Sequence, residues 1–200
     1  LFHKCYKANT FLNSDKMDQL LNLINPLHTK TTRDYLSRMN DQKVSCMKIA
    51  RRYDKDYWDG SRRTGYGGYQ YDGRWQVVAK ALIEFYRLPE NVKILDVGCG
   101  KGYLLYELKK LLPKATVTGF DLSEHAITGA KEEIKDSLFV YKAQDPYHFR
   151  HKEFDLVISI MALLNLPINE LQKALREIER VGKNKYIAVE SYRNEEELFN

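Results

Sequence analysis

Short apolar runs and amphipathic helical stretches alternate over the downstream half of the chain. Bounded by polar and turn residues, the apolar runs predict five strands, at 94–97, 116–121, 138–142, 154–160 and 185–190. Helices are predicted over 103–112 and before Gly182, where the apolar face comprises Leu171, Ala174, Leu175, Ile178 and Val181. Because parallel strands need helical crossovers, this order predicts an α/β fold, a mostly parallel sheet flanked by helices.

The first ninety residues carry helical patterns without strand patterns. An apolar stripe formed by Met17, Leu20, Leu21 and Ile24 predicts a first helix that ends before Pro26. A capping box at Thr31 and Asp34 predicts a second helix that runs through Cys46 and Ile49 to Ala50. A third is predicted over 75–86, with its inner face made of Trp75, Val78, Ala79, Leu82 and Phe85. The chain therefore divides into an N-terminal helical extension (1–88) and an α/β domain (89–200).

A glycine turn joins the first strand of this domain to its helix. Asp96 is followed by Gly98, Gly100 and Gly102, so the backbone can turn tightly and approach a ligand closely. The helix that begins at Tyr103 directs its N–H groups to the same place. The dinucleotide fingerprint would need glycine at position 103, and the phosphate P-loop would need Gly-Lys-Ser/Thr; neither is present.

The second strand ends in an acid, Asp121, about twenty residues beyond the turn. Carboxylates at this place accept hydrogen bonds from both hydroxyls of a ribose. The fourth strand begins Phe154-Asp155. The turn and the acid together predict a cradle for a nucleotide or a nucleoside-containing cofactor.

The acid-x-Gly-x-Gly-x-Gly turn resembles that of class I S-adenosylmethionine-dependent methyltransferases. The resemblance implies a Rossmann-like fold, S-adenosylmethionine as cofactor and S-adenosylhomocysteine as product. The family's sheet has seven strands, so strands six and seven are expected outside this sequence. A doubly wound domain that binds no S-adenosylmethionine is the open alternative.

The resemblance also implies roles for individual residues. The three glycines would face the methionine part of the cofactor, with Cys99 as a small filler, Asp96 holding the turn and Asp121 holding the ribose. The remaining implied contacts are Leu122 on adenine, Gln144 or Asp145 at the adenine amino group, and Ser159 near the reacting methyl.

A segment rich in tyrosine and glycine, 57–74, precedes the third helix. Its composition predicts a lid that closes over the cofactor and the acceptor, because tyrosine faces attract a sulfonium cation and exclude water. The segment resembles that of bacterial methyltransferases of sugar and surface-polysaccharide building blocks. The predicted substrate residues are Arg62, Arg63, Tyr66, Tyr69, Tyr71 and Arg74. A plain surface loop is the alternative.

A hydroxyl acceptor would need a general base. His148, in the loop after the third strand, and Glu190, at the end of the fifth, are the candidates. Tyr192 and Asn165 could instead orient the acceptor.

Net charge, cysteine spacing and the lengths of the apolar stretches indicate which kinds of binding partner and setting to expect. The net charge of +5 on 200 residues is spread along the chain, so a nucleic-acid track is not expected. Three separated cysteines without metal-ligand spacing predict no metal site and a reduced, cytoplasmic setting. No stretch predicts a membrane span. The favoured function is methylation of a small polar acceptor, a sugar or nucleotide-sugar hydroxyl; a methyltransferase of protein or nucleic acid and a silent cofactor-binding module remain the alternatives.

Overall fold

The structure is a computed structural model that describes residues 23–24, 27 and 42–189. Its centre is a five-stranded sheet in the order β3-β2-β1-β4-β5, and each neighbouring pair is parallel. The strands are β1 (Lys93–Val97), β2 (Thr116–Asp121), β3 (Leu138–Val140), β4 (Phe154–Ile160) and β5 (Gly182–Ala188). The predicted parallel α/β architecture is confirmed.

Helices connect and cover these strands. They are α1 (Lys43–Ala50), α2 (Lys55–Trp58), α3 (Gln76–Tyr86), α4 (Tyr103–Leu111), α5 (Glu124–Thr128), α6 (Glu132–Lys135) and α7 (Ile168–Val181), with a 3₁₀ turn at Leu163–Asn165. Helix α7 buries Ala174, Ile178 and Val181 against the sheet. It ends where Gly182, the first residue of β5, adopts an extended conformation.

Strand β1 lies in the middle of the sheet and is apolar on both faces. Leu95 is paired with Thr118 on one side and with Val157 on the other. Ile94 belongs to the core beneath α3 and α4, whereas Leu95 belongs to the core beneath α7. Because both faces are covered, the β1 sequence is a nearly continuous apolar run.

Helix α3 is part of the α/β core although the sequence places it in the N-terminal extension. Val78, Ala79 and Leu82 are buried in the same cluster as Ile94. The prediction that Phe85 faces inward is wrong, since its side chain is 42% exposed. The division at residue 88 stays a prediction.

The predicted second helix is described from Gln42 onward. Gln42 has a left-handed conformation, φ 41°, so α1 begins at Lys43 and has no buried residue. The predicted segment 31–41 and most of the first predicted helix lie outside the described residues. Of the first apolar stripe, Ile24 is described, and it packs in the core.

The bounds of β3 and β5 differ from the predictions, and so do three short helices, of which α2 falls partly in the predicted lid. Strand β3 ends at Val140 because the chain turns away after Tyr141 bonds to Asp121. Strand β5 begins at Gly182, where it pairs with Phe154, instead of at residue 185. Helices α5 and α6 were not predicted; Ser123, which caps α5 by accepting from the Ala126 N–H, is the sequence signal for the first.

Candidate cofactor and acceptor site

The glycine turn lies at the carboxyl ends of β1 and β2. The backbone N–H groups of Gly98 and Cys99 donate to the Phe120 carbonyl, at 2.9 and 3.0 Å. Gly98, Gly100 and Gly102 all have positive φ. A Cβ on Gly98 would come 2.2 Å from that of Ala162, so the turn has no room there for a side chain.

Asp121 is bound to the turn through its carboxylate. Oδ2 accepts from the Gly100 N–H at 2.8 Å, and Oδ1 accepts from the Ser123 N–H at 2.9 Å. Burial raises the pKa of Asp121, while these two hydrogen bonds oppose the increase. Its carboxylate is therefore oriented beside the glycine backbone, in the place predicted for a ribose contact.

Asp96 is a buried carboxyl group under the turn. The residue is 5% exposed, and no hydrogen bond to its side chain is found among the described residues. Burial, together with the charge of Asp121, raises the pKa of Asp96 to about 8. Such a group favours a cationic ligand, because a nearby positive charge would stabilise its ionised form.

Trp58, a residue of the predicted N-terminal extension, packs against the glycine turn. Its indole is packed so closely that a Cβ on Gly100 would lie 2.7 Å from Cη2. The indole N–H donates to Oγ of Ser123 at 2.8 Å, and the residue is 6% exposed. A residue of the N-terminal extension thus forms a wall of the turn.

The next residue, Asp59, forms a charged network with the turn. Lys101 Nζ lies 2.8 and 2.9 Å from the two carboxylate oxygens of Asp59. His125 Nε2 lies 2.7 Å from Oδ2. Burial alone would raise the pKa of Asp59, but the hydrogen bonds from Lys101, His125 and the Tyr69 N–H lower it to about 2.

The tyrosine segment continues along helix α4. The Tyr69 carbonyl accepts from Lys101 and from the Tyr103 hydroxyl, and the Tyr69 ring stacks on that of Tyr103 with centroids 5.2 Å apart. Tyr71 donates to Oε1 of the fully buried Glu107. This hydrogen bond raises the pKa of Tyr71 to about 12, so the phenol remains a donor.

Two of the predicted substrate tyrosines are therefore bound internally, since Tyr69 also accepts from the Trp75 indole. Tyr66 is 37% exposed and stacks on Trp58. Arg62 donates to the Tyr66 carbonyl, and Arg74 is paired with Asp72. Arg62, Arg63 and Arg74 are exposed.

The remaining predicted cofactor residues lie in different environments. Leu122 is 49% exposed beside a surface cavity of about 560 Å³. Gln144 and Asp145 are half-buried in the turn after β3, and Cys99 is half-buried beneath the glycine turn, near Gly119. Ser159 is fully buried and donates to the Val97 carbonyl, so its hydroxyl supports the end of β1 directly before the glycine turn. Its place near the reacting methyl stays a prediction.

The contacts of the described residues do not bring the candidate base His148 to the turn. His148 is exposed beside Tyr141, with 3.5 Å between Nε2 and the phenolic oxygen. Its neighbours Tyr147 and Phe149 bond through their carbonyls to Arg180, in the last turn of α7. These contacts do not support His148 as the base. Glu190 and Tyr192 lie outside the described residues, and Asn165 bonds locally to Ala162.

The sequence reasoning missed Trp58, Asp59, Lys101, Ser123 and His125. The signals were an acidic residue beside a tryptophan and a lysine inside the glycine turn. Neither of these two sequence features indicates which residue the side chain will contact before the fold is known.

Among the described residues no group of His, Cys, Asp or Glu is arranged to hold a metal. The helices of that same part of the chain are too short or too polar to cross a bilayer.

Comparison with known protein families shows which family the chain belongs to. The family model described as "Methyltransferase domain" matches residues 88–200, more than half of the chain. The chain belongs to the class I S-adenosylmethionine-dependent methyltransferase family. The matched region includes the glycine turn and Asp121, whereas Trp58 and Asp59 lie before it.

Individual relatives show how broad the family is. The chain is 34% identical over 100 residues to a malonyl-[acyl-carrier protein] O-methyltransferase of Bacillus cereus, covering 48% of this chain and 36% of that protein. It is 31% identical over 112 residues to the human mitochondrial arginine-hydroxylase NDUFAF5, covering 54% of this chain and 31% of that protein. The chain thus spans about a third of the length of these relatives.

A solved structure shares the fold. A putative S-adenosylmethionine-dependent methyltransferase from Methanococcus maripaludis superposes with a TM-score of 0.50 and 21% identity. The match covers 61% of this chain and 57% of that one.

Proposed function

We propose that this protein binds S-adenosylmethionine at the carboxyl ends of β1 and β2 and transfers its methyl group to a small polar acceptor. The observation that carries the proposal is the carboxylate of Asp121, oriented by the N–H groups of Gly100 and Ser123 beside the glycine turn. Family membership supports the same cofactor.

The residues present fit the chemistry of this cofactor. Asp96 provides a buried carboxyl group without a hydrogen-bond donor among the described residues, and a cationic ligand suits such a group. Asp121 offers its oxygens to ribose hydroxyls, and the exposed Leu122 offers an apolar surface to adenine. S-Adenosylmethionine supplies an electrophilic methyl group when bound. The chain's own contribution is to bind, orient and exclude water.

The proposed acceptor is a sugar or nucleotide-sugar hydroxyl. Tyr66 presents a partly exposed ring next to the turn, and polar ligands with apolar faces pack on such rings. Arg62 and Arg63 lie on the same exposed stretch and suit a phosphate group. The relatives are named for dissimilar reactions, so they do not favour one acceptor.

Binding and turnover test this proposal separately. Calorimetry with S-adenosylhomocysteine should show saturable binding, and NAD should not compete. Incubation with S-adenosylmethionine and a panel of sugar phosphates and nucleotide-sugars should release S-adenosylhomocysteine with one acceptor class. Binding of NAD in place of S-adenosylhomocysteine would overturn the cofactor assignment. Binding with turnover only on a protein or nucleic acid would overturn the acceptor assignment.

A further inference from the structure

Asp121 is oriented by two backbone donors, and Trp58 contacts the residues that supply both of them. Its six-membered ring packs against Gly100, where an added Cβ would meet Cη2 at 2.7 Å. Its indole N–H donates to Oγ of Ser123 at 2.8 Å. The same two residues donate their backbone N–H groups to Asp121, at 2.8 and 2.9 Å.

The position of Trp58 is fixed by the chain on either side. Upstream, Tyr53 has a left-handed backbone, φ 51°, and its carbonyl accepts from both the Trp58 indole and the Ser123 hydroxyl. Downstream, Asp59 binds Lys101, which is 4% exposed and lies within the glycine turn. The indole is thus held by a hydrogen bond on its upstream side, and the residue that follows it is held by an ion pair with Lys101.

We infer that Trp58 is a positioning residue that holds Asp121 in place for the ribose of the cofactor, acting through Gly100 and Ser123. This inference rests on the proposed binding of S-adenosylmethionine and deepens it. It assigns part of the affinity for cofactor to a residue of the N-terminal extension, outside the segment matched by the family model.

Trp58→Phe tests the inference because it removes the indole N–H and shortens the ring. We expect it to weaken binding of S-adenosylhomocysteine about tenfold, the size of one buried hydrogen bond with its packing. The loss of affinity should occur only with a ligand that carries the ribose hydroxyls. An analogue of S-adenosylhomocysteine that carries a 2′,3′-dideoxyribose should bind the variant and the wild type within about twofold of each other, because Asp121 has no hydroxyl to hold.

Trp75→Phe is the matched control. Trp58 and Trp75 are the two tryptophans of the chain, and Trp75 donates its indole N–H to the Tyr69 hydroxyl at 2.8 Å. It makes the same kind of bond, but its acceptor is not one of the residues that donate to Asp121. The control should bind both ligands like the wild type, within about twofold.

The urea midpoint of each variant shows whether it is folded. If Trp58→Phe lacks a cooperative transition, Ser123→Ala replaces it, because it removes the nearer of the two acceptors of the indole N–H and keeps the indole. It should show a ribose-dependent loss of affinity in the same direction. An equal loss of affinity for both ligands, or no loss, would overturn the inference while leaving the proposed function intact. A wild-type protein that bound neither ligand would overturn the proposed function and this inference with it.

Discussion

At the scale of single residues, Asp121 has the best-defined contacts of the site. Replacing it with alanine removes the acceptor that we propose for the ribose hydroxyls and leaves the Gly100 N–H without its partner. We expect a loss of about 1–3 kcal/mol in the free energy of binding S-adenosylhomocysteine, measured by calorimetry.

Asp155→Asn is the control for this change. Asp155 lies near the start of β4, at the opposite end of the strands, where it accepts from the Lys93 N–H and pairs with Lys183. Its replacement should leave the affinity unchanged. If both variants lost affinity equally, the effect would be one of general stability and Asp121 would not be the ribose acceptor.

Asp96 should couple cofactor binding to proton release. Its pKa of about 8 means that much of the group is protonated at pH 7. A bound sulfonium lowers that pKa, so S-adenosylmethionine should release a fraction of a proton on binding, and more than S-adenosylhomocysteine does. Calorimetry in buffers of different ionisation enthalpy measures this number. In Asp96→Asn the difference between the ligands should vanish, and its persistence would show that another group titrates.

At the scale of elements, the segment 53–75 is held along α4 by side chains that are polar and largely buried. Asp59→Asn leaves the ammonium of Lys101 buried without its carboxylate. We expect the free energy of unfolding to fall by about 2–4 kcal/mol, less than for a fully buried pair because the Asp59 side chain is 22% exposed.

The double variant Asp59→Asn, Lys101→Met should recover part of that loss, because no unpaired charge remains. Glu90→Gln, in the exposed pair with Lys114, should change the stability by less than about 0.5 kcal/mol. Urea unfolding measures all of these variants. A double variant less stable than Asp59→Asn would contradict the assignment of the loss to an unpaired charge.

The segment 57–74 also remains the predicted lid. Hydrogen exchange in its backbone should slow when cofactor is added and slow further with the acceptor. Deleting residues 65–70 should depress turnover far more than affinity for S-adenosylhomocysteine, because its proposed role is in presenting the acceptor. Exchange rates that are indifferent to both ligands would make this stretch a plain surface connection.

At the scale of the whole molecule, stability should be greatest in mildly acidic solution. Asp59, with a folded pKa near 2, contributes stability that is present above its unfolded pKa of 3.8 and is lost as the pH falls toward 2. Asp96 acts in the opposite direction. Its folded pKa of about 8 lies above the unfolded value of 3.8, so its contribution is present at low pH and is lost as the pH rises toward 8.

Urea midpoints across pH 2 to 9 test this profile. They should rise from pH 2 to about 4 and decline from about 5 to 8. Asp96→Asn should flatten the decline at higher pH and leave the acid limb in place. A wild-type profile that rises steadily to pH 8 would show that Asp96 is ionised in the folded protein.

The positions of the strands along the chain, the glycine turn and the acid at the end of β2 could be predicted from the sequence alone. Each of these depends on neighbouring residues: apolar runs that predict Thr116–Asp121 and Phe154–Ile160 as strands, and glycines that allow positive φ at Gly98 and Gly100. The periodicity of a strand and the backbone freedom of a glycine depend on adjacent residues, so they can be predicted without knowing the tertiary contacts.

Which side chains meet at the turn depends on how distant segments pack in the folded protein. Asp59 and Lys101 are 42 positions apart, and Trp58 and Ser123 are 65 apart, so no local pattern links them. The same holds for Ser159 in β4, whose hydroxyl donates to the Val97 carbonyl, 62 positions away. Parallel strands bring distant segments to one edge of a sheet, and the packing there determines whether a polar side chain faces a ligand or another part of the chain.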